Sequence, residues 1–459
     1  MDRKVHILLN VEARSHKDNI IYQSGNWITS KSTSSVVVGS WLHKLLDYFS
    51  ETYHRHGLVA SIIEIKKAWY RSILDENVVV HEVHSIDQNN CIISKIKRDE
   101  ADPIVIFAGG DGTLKEGATG DINYTDRYNT ISAKVNEAMN RKTSQANASK
   151  SLEEIMSGFE TEKTRTRPML SLAANTIAEE KKVGLEDLAE FLNLDHIEKG
   201  FIRVYSLTAD DFFKKPKLDY FKYSMIKGGT FNVIAGSLKL PDTKTTLRYL
   251  KHCIDCKEKF NYTPLQLTKI EYQTADGIKK TLYSVIGAIG AARGFFDFYK
   301  GGAINSLCII GGALVGIKKY SAAMQPRLLE YEILSESQGR MTFENNSTVA
   351  AFTAITKLPF NFKFFHPEQG YFHTAISGTD PRKVAIGAFG TLVGMKIPPE
   401  YVPYDVPDTK ELIIRSPANA DYSVSFVLDG DKKDKAGVMY DTKELKVSLG
   451  PVIDVVMPV

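Results

Sequence analysis

The apolar positions of the chain follow two rhythms. Through about residue 235, short β-branched runs alternate with stretches of helical spacing. Residues 5–9 (Val-His-Ile-Leu-Leu) read as a first strand, and residues 36–56 carry Trp41, Leu42, Leu45, Leu46 and Phe49 at helical intervals. Residues 78–83 read as a strand, residues 86–98 as a helix, and residues 104–107 as a buried strand that runs into glycines. Strands alternating with helices predict a parallel sheet with right-handed crossovers, with ligand at the carboxyl ends of the strands. From Leu265 onward the rhythm changes. Short alternating segments at 267–273, 280–288, 329–334, 341–352, 371–376, 412–415 and 422–428, with turn residues between them, predict an antiparallel sheet or sandwich. The fold class expected is therefore an α/β domain, with a parallel sheet and flanking helices, followed by an antiparallel β-sandwich. The domains fall at 1–235 and 236–459.

Between residues 121 and 217 the pattern departs from both rhythms. Polar, charged helices are expected at 131–141, 151–162 and 185–192, and the sequence NRKTSQANASK at 140–150 is too poor in apolar residues to be more than a mobile connection. The stretch reads as a helical insertion whose role the residues do not disclose. It is equally compatible with regulation, partner binding, a cover over the site and a passive surface excursion.

The chemistry is expected where the strand at 104–107 breaks, at Ala108-Gly109-Gly110-Asp111-Gly112-Thr113-Leu114-Lys115-Glu116. Three glycines within four residues let backbone approach a ligand closely, and the helix that follows presents unpaired N–H groups to an anion. A carboxylate beside phosphates would be repelled unless it holds a metal ion or takes a proton from an attacking hydroxyl, so Asp111 is a candidate for either role. Thr113 offers a hydroxyl to a phosphate oxygen or a cap to the helix. A plain strand-to-helix turn, with Asp and Thr as caps, explains the same residues.

Composition removes other function classes. A net charge of +3 gives no field for polyanions, so a nucleic-acid role has no support. No apolar run reaches membrane-spanning length, and the initial one is too short for a secretory signal; the expectation is a cytoplasmic protein that meets membranes only at their surface. Four cysteines, Cys91, Cys253, Cys256 and Cys308, are too few for a disulfide framework. Cys253-Ile254-Asp255-Cys256 with His252 offers at most half of a zinc site, and ordinary packing thiols are the simpler reading.

Gly109-Gly110-Asp111-Gly112-Thr113-Leu114, followed by Glu116 and Gly120, resembles the nucleotide loop of the diacylglycerol kinase and sphingosine kinase superfamily, whose loop core NAD kinases share. Two later stretches fit the same resemblance. Lys227-Gly228-Gly229-Thr230-Phe231-Asn232 is similar to the superfamily's second glycine turn, and Leu428-Asp429-Gly430-Asp431 to its acidic turn, which ends in Glu in relatives. Asn10 matches the Asn that ends the first strand. The Gly-Gly-Asp-Gly-Thr form looks closer to diacylglycerol kinases than to sphingosine kinases, and the downstream Asn-Glu pair of NAD kinases is missing. The resemblance implies ATP held by Asn10, Gly109, Gly110, Gly112, Thr113, Glu116, Thr230 and Asn232, Mg²⁺ organised by Asp111 through water, and Asp111 or Asp431 as the base. The acceptor implied is a lipid hydroxyl at a membrane surface, with no nucleic acid partner and the oligomeric state left open. Residues 286–294 resemble the small-residue turn that relatives place beside that acceptor. Val233, Gln266 and Gln369 stand where relatives usually carry acids. That departure, with the insertion, motivates a different class of reading: a degenerate fold that binds nucleotide or lipid without transfer. An NAD kinase-like enzyme is the other alternative.

Overall fold

The computed structural model describes residues 4–10, 55–75, 78–83, 86–100, 102–109, 111–145, 194–198, 201–204, 217–227, 233–290, 326–355, 365–378, 383, 399–429, 431 and 440–458. In chain order the elements are β1 (Val5–Asn10), α1 (Arg55–Leu74), β2 (Val78–Val83), α2 (Ile86–Asp99), β3 (Ile104–Gly109), α3 (Asp111–Gln145), β4 (Leu194–Glu198), β5 (Phe201–Val204) and β6 (Lys222–Lys227). There follow α4 (Val233–Ser237), α5 (Thr243–Asp255), β7 (Tyr262–Gln273), β8 (Lys279–Ser284), β9 (Ile286–Gly290), β10 (Arg327–Ser335), β11 (Gly339–Ser347), β12 (Val349–Thr353), β13 (Phe372–Ser377), β14 (Tyr404–Arg415), β15 (Val424–Leu428), β16 (Asp441–Thr442) and β17 (Glu444–Val456).

The chain divides into two compact units, residues 1–120 with 221–459, and residues 121–220. In the first, β2, β1, β3 and β6 lie side by side and parallel, in that order. The run Ile104 to Ala108 is buried throughout, as expected of a parallel strand covered on both faces. One cluster of buried side chains joins Val5, Ile7, Leu9, Ile104 and Ile106 to Tyr70 and Leu74 of α1 and Leu247 and Leu250 of α5. The antiparallel part is built on alternation instead. In β10, Leu329, Tyr331 and Ile333 are buried while Glu330 and Glu332 face outward, and the buried set packs with Phe352, Phe372, Leu412 and Phe426.

The α/β part and the strand-rich part thus follow the expected fold class, and within this unit they share one ladder. β17 pairs antiparallel with β14 and β7 and, at Val455 opposite Tyr223, parallel with β6. The expected segments 280–288 and 341–352 are each two strands, broken at Val285 and Thr348. The second unit contains the β4–β5 hairpin, and Asn129 on α3 exchanges two hydrogen bonds with the backbone of Leu218, at 2.8 and 2.9 Å. Helix α3 continues to Gln145, so residues 140–145 of the expected connection are helical and the rest of it lies outside the described residues: Arg141, Lys142 and Gln145 are polar but good helix formers. The helices expected at 36–56, 151–162 and 185–192 lie wholly or largely outside the described residues.

His6 on β1 and His81 on β2 stack with centroids 5.4 Å apart and Nδ1 to Nε2 at 3.0 Å. Burial, and then the neighbouring His81, pushes the His6 imidazole down to about 4 against the opposing pull of Glu100. Burial and Lys95 push His81 in the same direction. A histidine that stays neutral only when folded loses stability as pH falls from its unfolded value near 6.5 toward 4, by about 2–3 kcal/mol for His6. Denaturant midpoints are expected to drop across that window and be level above pH 7. His6→Gln should flatten the profile; an unchanged slope would remove His6 as its source.

Candidate functional site

Strand order β2-β1-β3-β6 changes direction between β1 and β3, because the chain leaves β1 to one side for β2 and returns to the other for β3. That reversal is where an open parallel sheet forms a crevice at its carboxyl edge. Asn10 ends β1, opposite Val83, and Gly109 ends β3, opposite Lys227 of β6. Four parallel strands therefore stop at one edge, and two of the expected nucleotide residues are strand-terminal there. Helix α3 starts two residues after Gly109, at Asp111, so the expected strand–glycine–helix order is present. Gly110, Thr230 and Asn232 lie outside the described residues.

Helix α3 is glycine-rich in its first turns because large groups crowd it. A Cβ on Gly117 would fall 1.9 Å from the Phe107 ring, and one on Gly120 would fall 2.5 Å from Oδ1 of the Asn90 side chain. Thr113, Leu114 and Ala118 are buried. Thr119 Oγ1 accepts from the Tyr283 backbone N–H at 3.0 Å, which ties the helix to β8 of the antiparallel part. The helix is gripped by both parts of the unit.

The late acidic turn arrives at the same helix. The turn Leu428-Asp429-Gly430-Asp431 is a tight hairpin: Leu428 N–H donates to Asp431 O at 2.9 Å and Asp431 N–H to Leu428 O at 2.8 Å. Asp429 has φ +47°, the left-handed conformation that Asp tolerates better than most residues. Its Oδ1 accepts from the backbone of Val285 at 3.2 Å and Ile286 at 3.0 Å, anchoring the turn to the corner between β8 and β9. Asp429 is thus the fastener, and Asp431 projects from it. The carboxylate of Asp431 reaches Gly112, where a Cβ would stand 2.2 Å from its Oδ2. A side chain one methylene shorter than Glu makes that approach because the turn is tied down beside it and Gly112 has nothing in the way.

The residue that sequence reasoning missed is Lys115. It sits one turn into α3, its side chain is 2% exposed, and its Nζ lies 3.1 Å from Asp431 Oδ2 and donates to Tyr440 Oη at 3.2 Å. Burial alone would push the ammonium down, but the negative charge of Asp431, with Tyr440, Glu116 and Asp429 behind it, holds it well above the usual lysine range. Burial pushes the Tyr440 phenol up, against the pull of Lys115. Tyr440 is itself fixed by stacking on Phe426, with centroids 5.2 Å apart and planes 10° apart. A lysine inside an amphipathic-looking helix start carries no signal of its own, and its partners come 316 and 325 positions later. Pairing it with the acidic turn requires the fold.

The remaining expected residues divide. The Glu116 backbone oxygen accepts from Asn89 Nδ2 of α2 at 3.5 Å, which makes its place in the helix partly structural. Gln266 Nε2 donates to Leu267 O at 2.9 Å and Gly450 O at 2.7 Å, holding β7 against β17. Gln369 lies in an exposed turn closed by Tyr371 N–H to Glu368 O at 3.1 Å, with Gly370 at φ +82°. Neither position bears on the Asp431 cluster. Residues 291–294 lie outside the described residues. Hard carboxylate oxygens beside a helix start are a donor set that suits Mg²⁺, although Asp431 Oδ2 already faces the Lys115 ammonium.

No family model matches the sequence, and no curated protein does. Solved structures with a similar course of the chain include a diacylglycerol kinase from Bacillus anthracis str. Sterne, 11% identical, with 99% of this chain and 97% of that one covered at a TM-score of 0.42. Another is yeast NADH kinase complexed with NADH, 9% identical, covering 100% of this chain and 84% of that one at a TM-score of 0.34. Superpositions this loose identify neither chemistry nor substrate.

Proposed function

We propose that the chain is an ATP-dependent phosphotransferase whose acceptor is a lipid hydroxyl, as in diacylglycerol kinases. The observation that carries the reading is the convergence of the glycine-loop helix, through Gly112 and Lys115, with the acidic turn at Asp431. Two stretches that resemble superfamily motifs, more than three hundred residues apart, meet at the carboxyl edge of a parallel sheet.

Phosphoryl transfer asks little covalent chemistry of a protein: alignment, charge neutralisation and a base near the acceptor are the main contributions. Backbone N–H groups at the start of α3 would face phosphate oxygens, with Gly109, Gly110 and Gly112 giving close access. Asp431 would accept the proton of the acceptor hydroxyl, and Lys115 would hold that carboxylate in place. Asp111, the first residue of α3, is the residue that would hold Mg²⁺, which supplies neutralisation of phosphate charge when bound with ATP. Thr230 and Asn232 complete the proposed nucleotide contacts.

The test is radiolabelled phosphate transfer from ATP over a panel of lipid hydroxyl acceptors in mixed vesicles, with NAD as a separate arm. No helix among the described residues is long and apolar enough to cross a membrane, and the reading places the encounter with lipid at an interface. Label in a lipid product, with reversible sedimentation on those vesicles, is expected. Label in NAD alone would replace the lipid acceptor, and ATP binding without transfer to either would leave a nucleotide-binding module.

A further inference from the structure

We propose that His252, Cys256 and Glu258, at the carboxyl end of α5, form a binding site for one zinc-like divalent cation. The site is separate from the Asp431 cluster and does not depend on the reaction assigned to it.

The sequence pairs Cys256 with Cys253, but the helix sends those sulfurs to different places. Cys253 is buried among Leu247, Leu250 and Phe260, whereas Cys256 is exposed. His252 is four residues before Cys256, hence on the same face and one turn away. The third donor comes from the way the helix stops. Lys257 adopts φ +55°, its N–H donates to Ile254 O at 3.2 Å, and Glu258 N–H donates to Cys253 O at 2.9 Å. These two bonds are the Schellman ending, in which the chain turns back over its last turn. Glycine usually takes the left-handed position, and lysine there costs on the order of 1 kcal/mol. The turn brings Glu258 beside His252, with Oε2 3.5 Å from Nε2, while Cys256 Sγ lies 3.6 Å from Nδ1.

The sulfur–nitrogen spacing is also that of a metal site. A tetrahedral ion with bonds of about 2.3 Å to sulfur and 2.0–2.1 Å to nitrogen sets those two atoms about 3.5 Å apart. One donor atom from each residue can be chosen so that all three lie within 4.8 Å of one another. Because one ion takes one imidazole nitrogen, the Glu258 carboxylate has to turn from the Nε2 side toward Nδ1, an easy rotation for a side chain 57% exposed. On binding, the Cys256 S–H bond breaks, its proton passes to bulk solvent, the sulfur–metal bond forms, and a separate neutral water fills the fourth position. Thiolate and imidazole select zinc-like ions over Mg²⁺ or Ca²⁺.

Co²⁺ is the probe, titrated into the full-length protein kept reduced by a phosphine. One equivalent is expected to produce thiolate-to-cobalt absorption in the near ultraviolet and tetrahedral d–d bands, both displaced by Zn²⁺. Cys256→Ser should abolish the charge-transfer band, and Cys253→Ser should keep it. Loss of even a supporting partner costs a metal site about tenfold to a hundredfold in affinity, so His252→Ala and Glu258→Gln, which remove ligands, should cost at least that. All three positions are at the surface, and circular dichroism should show each variant folded. No stoichiometric band in the wild type, a band that survives Cys256→Ser, or unchanged affinity in either of the other two variants would overturn the site.

Discussion

Asp431→Asn is expected to lower transfer from ATP by about a hundredfold to ten-thousandfold, the range for removing a general base, and to destabilise the fold as well. The second effect follows from Lys115. Its buried ammonium would lose the carboxylate at 3.1 Å and keep a phenol oxygen in its place. Removing one partner of a buried pair costs about 3–5 kcal/mol, and because Asp431 is 34% exposed a discounted cost of about 2–3 kcal/mol is expected here. Lys115→Met should behave differently. It removes the buried charge, fills similar volume with apolar atoms and leaves a carboxylate that solvent can reach, at less than about 1.5 kcal/mol. On the proposed reading, in which Lys115 holds Asp431 and not the nucleotide, it should nonetheless lose most turnover with ATP affinity little changed. The double variant should be more stable than Asp431→Asn alone. Denaturant midpoints and initial rates on the four proteins decide it: wild-type rate and stability in Asp431→Asn would reduce Asp431 to a hairpin residue.

Gly112→Ala and Gly117→Ala are expected to separate activity from stability within one helix. At Gly112 a Cβ would stand 2.2 Å from Asp431 Oδ2. That atom is the tip of a side chain able to pivot, and if the other carboxylate oxygen keeps the Lys115 ammonium the fold should lose under about 1 kcal/mol while the carboxylate leaves its place against Gly112. A displacement of that size at a reacting group costs on the order of a hundredfold in rate. At Gly117 the new methyl would lie 1.9, 2.2 and 2.7 Å from three atoms of the Phe107 ring. Phe107 is 2% exposed and stacked on Tyr223 with centroids 5.4 Å apart, so no cheap retreat exists. A cost of about 1–3 kcal/mol or more is expected. Thermal denaturation and transfer rate, measured on both, should rank the variants in opposite orders; Gly112→Ala with full activity would detach the acidic turn from the site.

Most of the fold was legible because its cores obey two simple periods. Continuous burial at Ile104 to Ala108 and strict alternation through Leu329, Tyr331 and Ile333 are local patterns, and each was readable without its partners. Strand breaks at Val285 and Thr348 were not, since β-branched and polar residues continue through both. At the site, the strand–glycine–helix pattern could be read from the nine residues Ala108 to Glu116. The Asp-Gly turn was legible as an acidic motif, and it proves to be a hairpin turn whose second acid reaches the glycine helix. Lys115 and Tyr440 were invisible because a buried cation is recognised by its counter-charge, and that counter-charge is supplied by tertiary pairing alone. His252, Cys256 and Glu258 illustrate the same limit: a left-handed lysine, which no propensity favours, brings the third donor into place.

The pairing of β6 with β17 has a consequence for synthesis on the ribosome. All four parallel strands have been made once Lys227 emerges, yet the flank of β6 that β17 occupies cannot be covered until roughly 230 further residues have followed. At about 5–20 residues per second that interval is roughly ten to fifty seconds. During it a nascent sheet presents an open hydrogen-bonding edge on a strand whose Tyr223, Met225 and Ile226 are destined for burial. Nascent chains stalled within that interval should therefore be the ones that recruit holding chaperones, and slowing elongation through β7 to β16 should lower the yield of native protein.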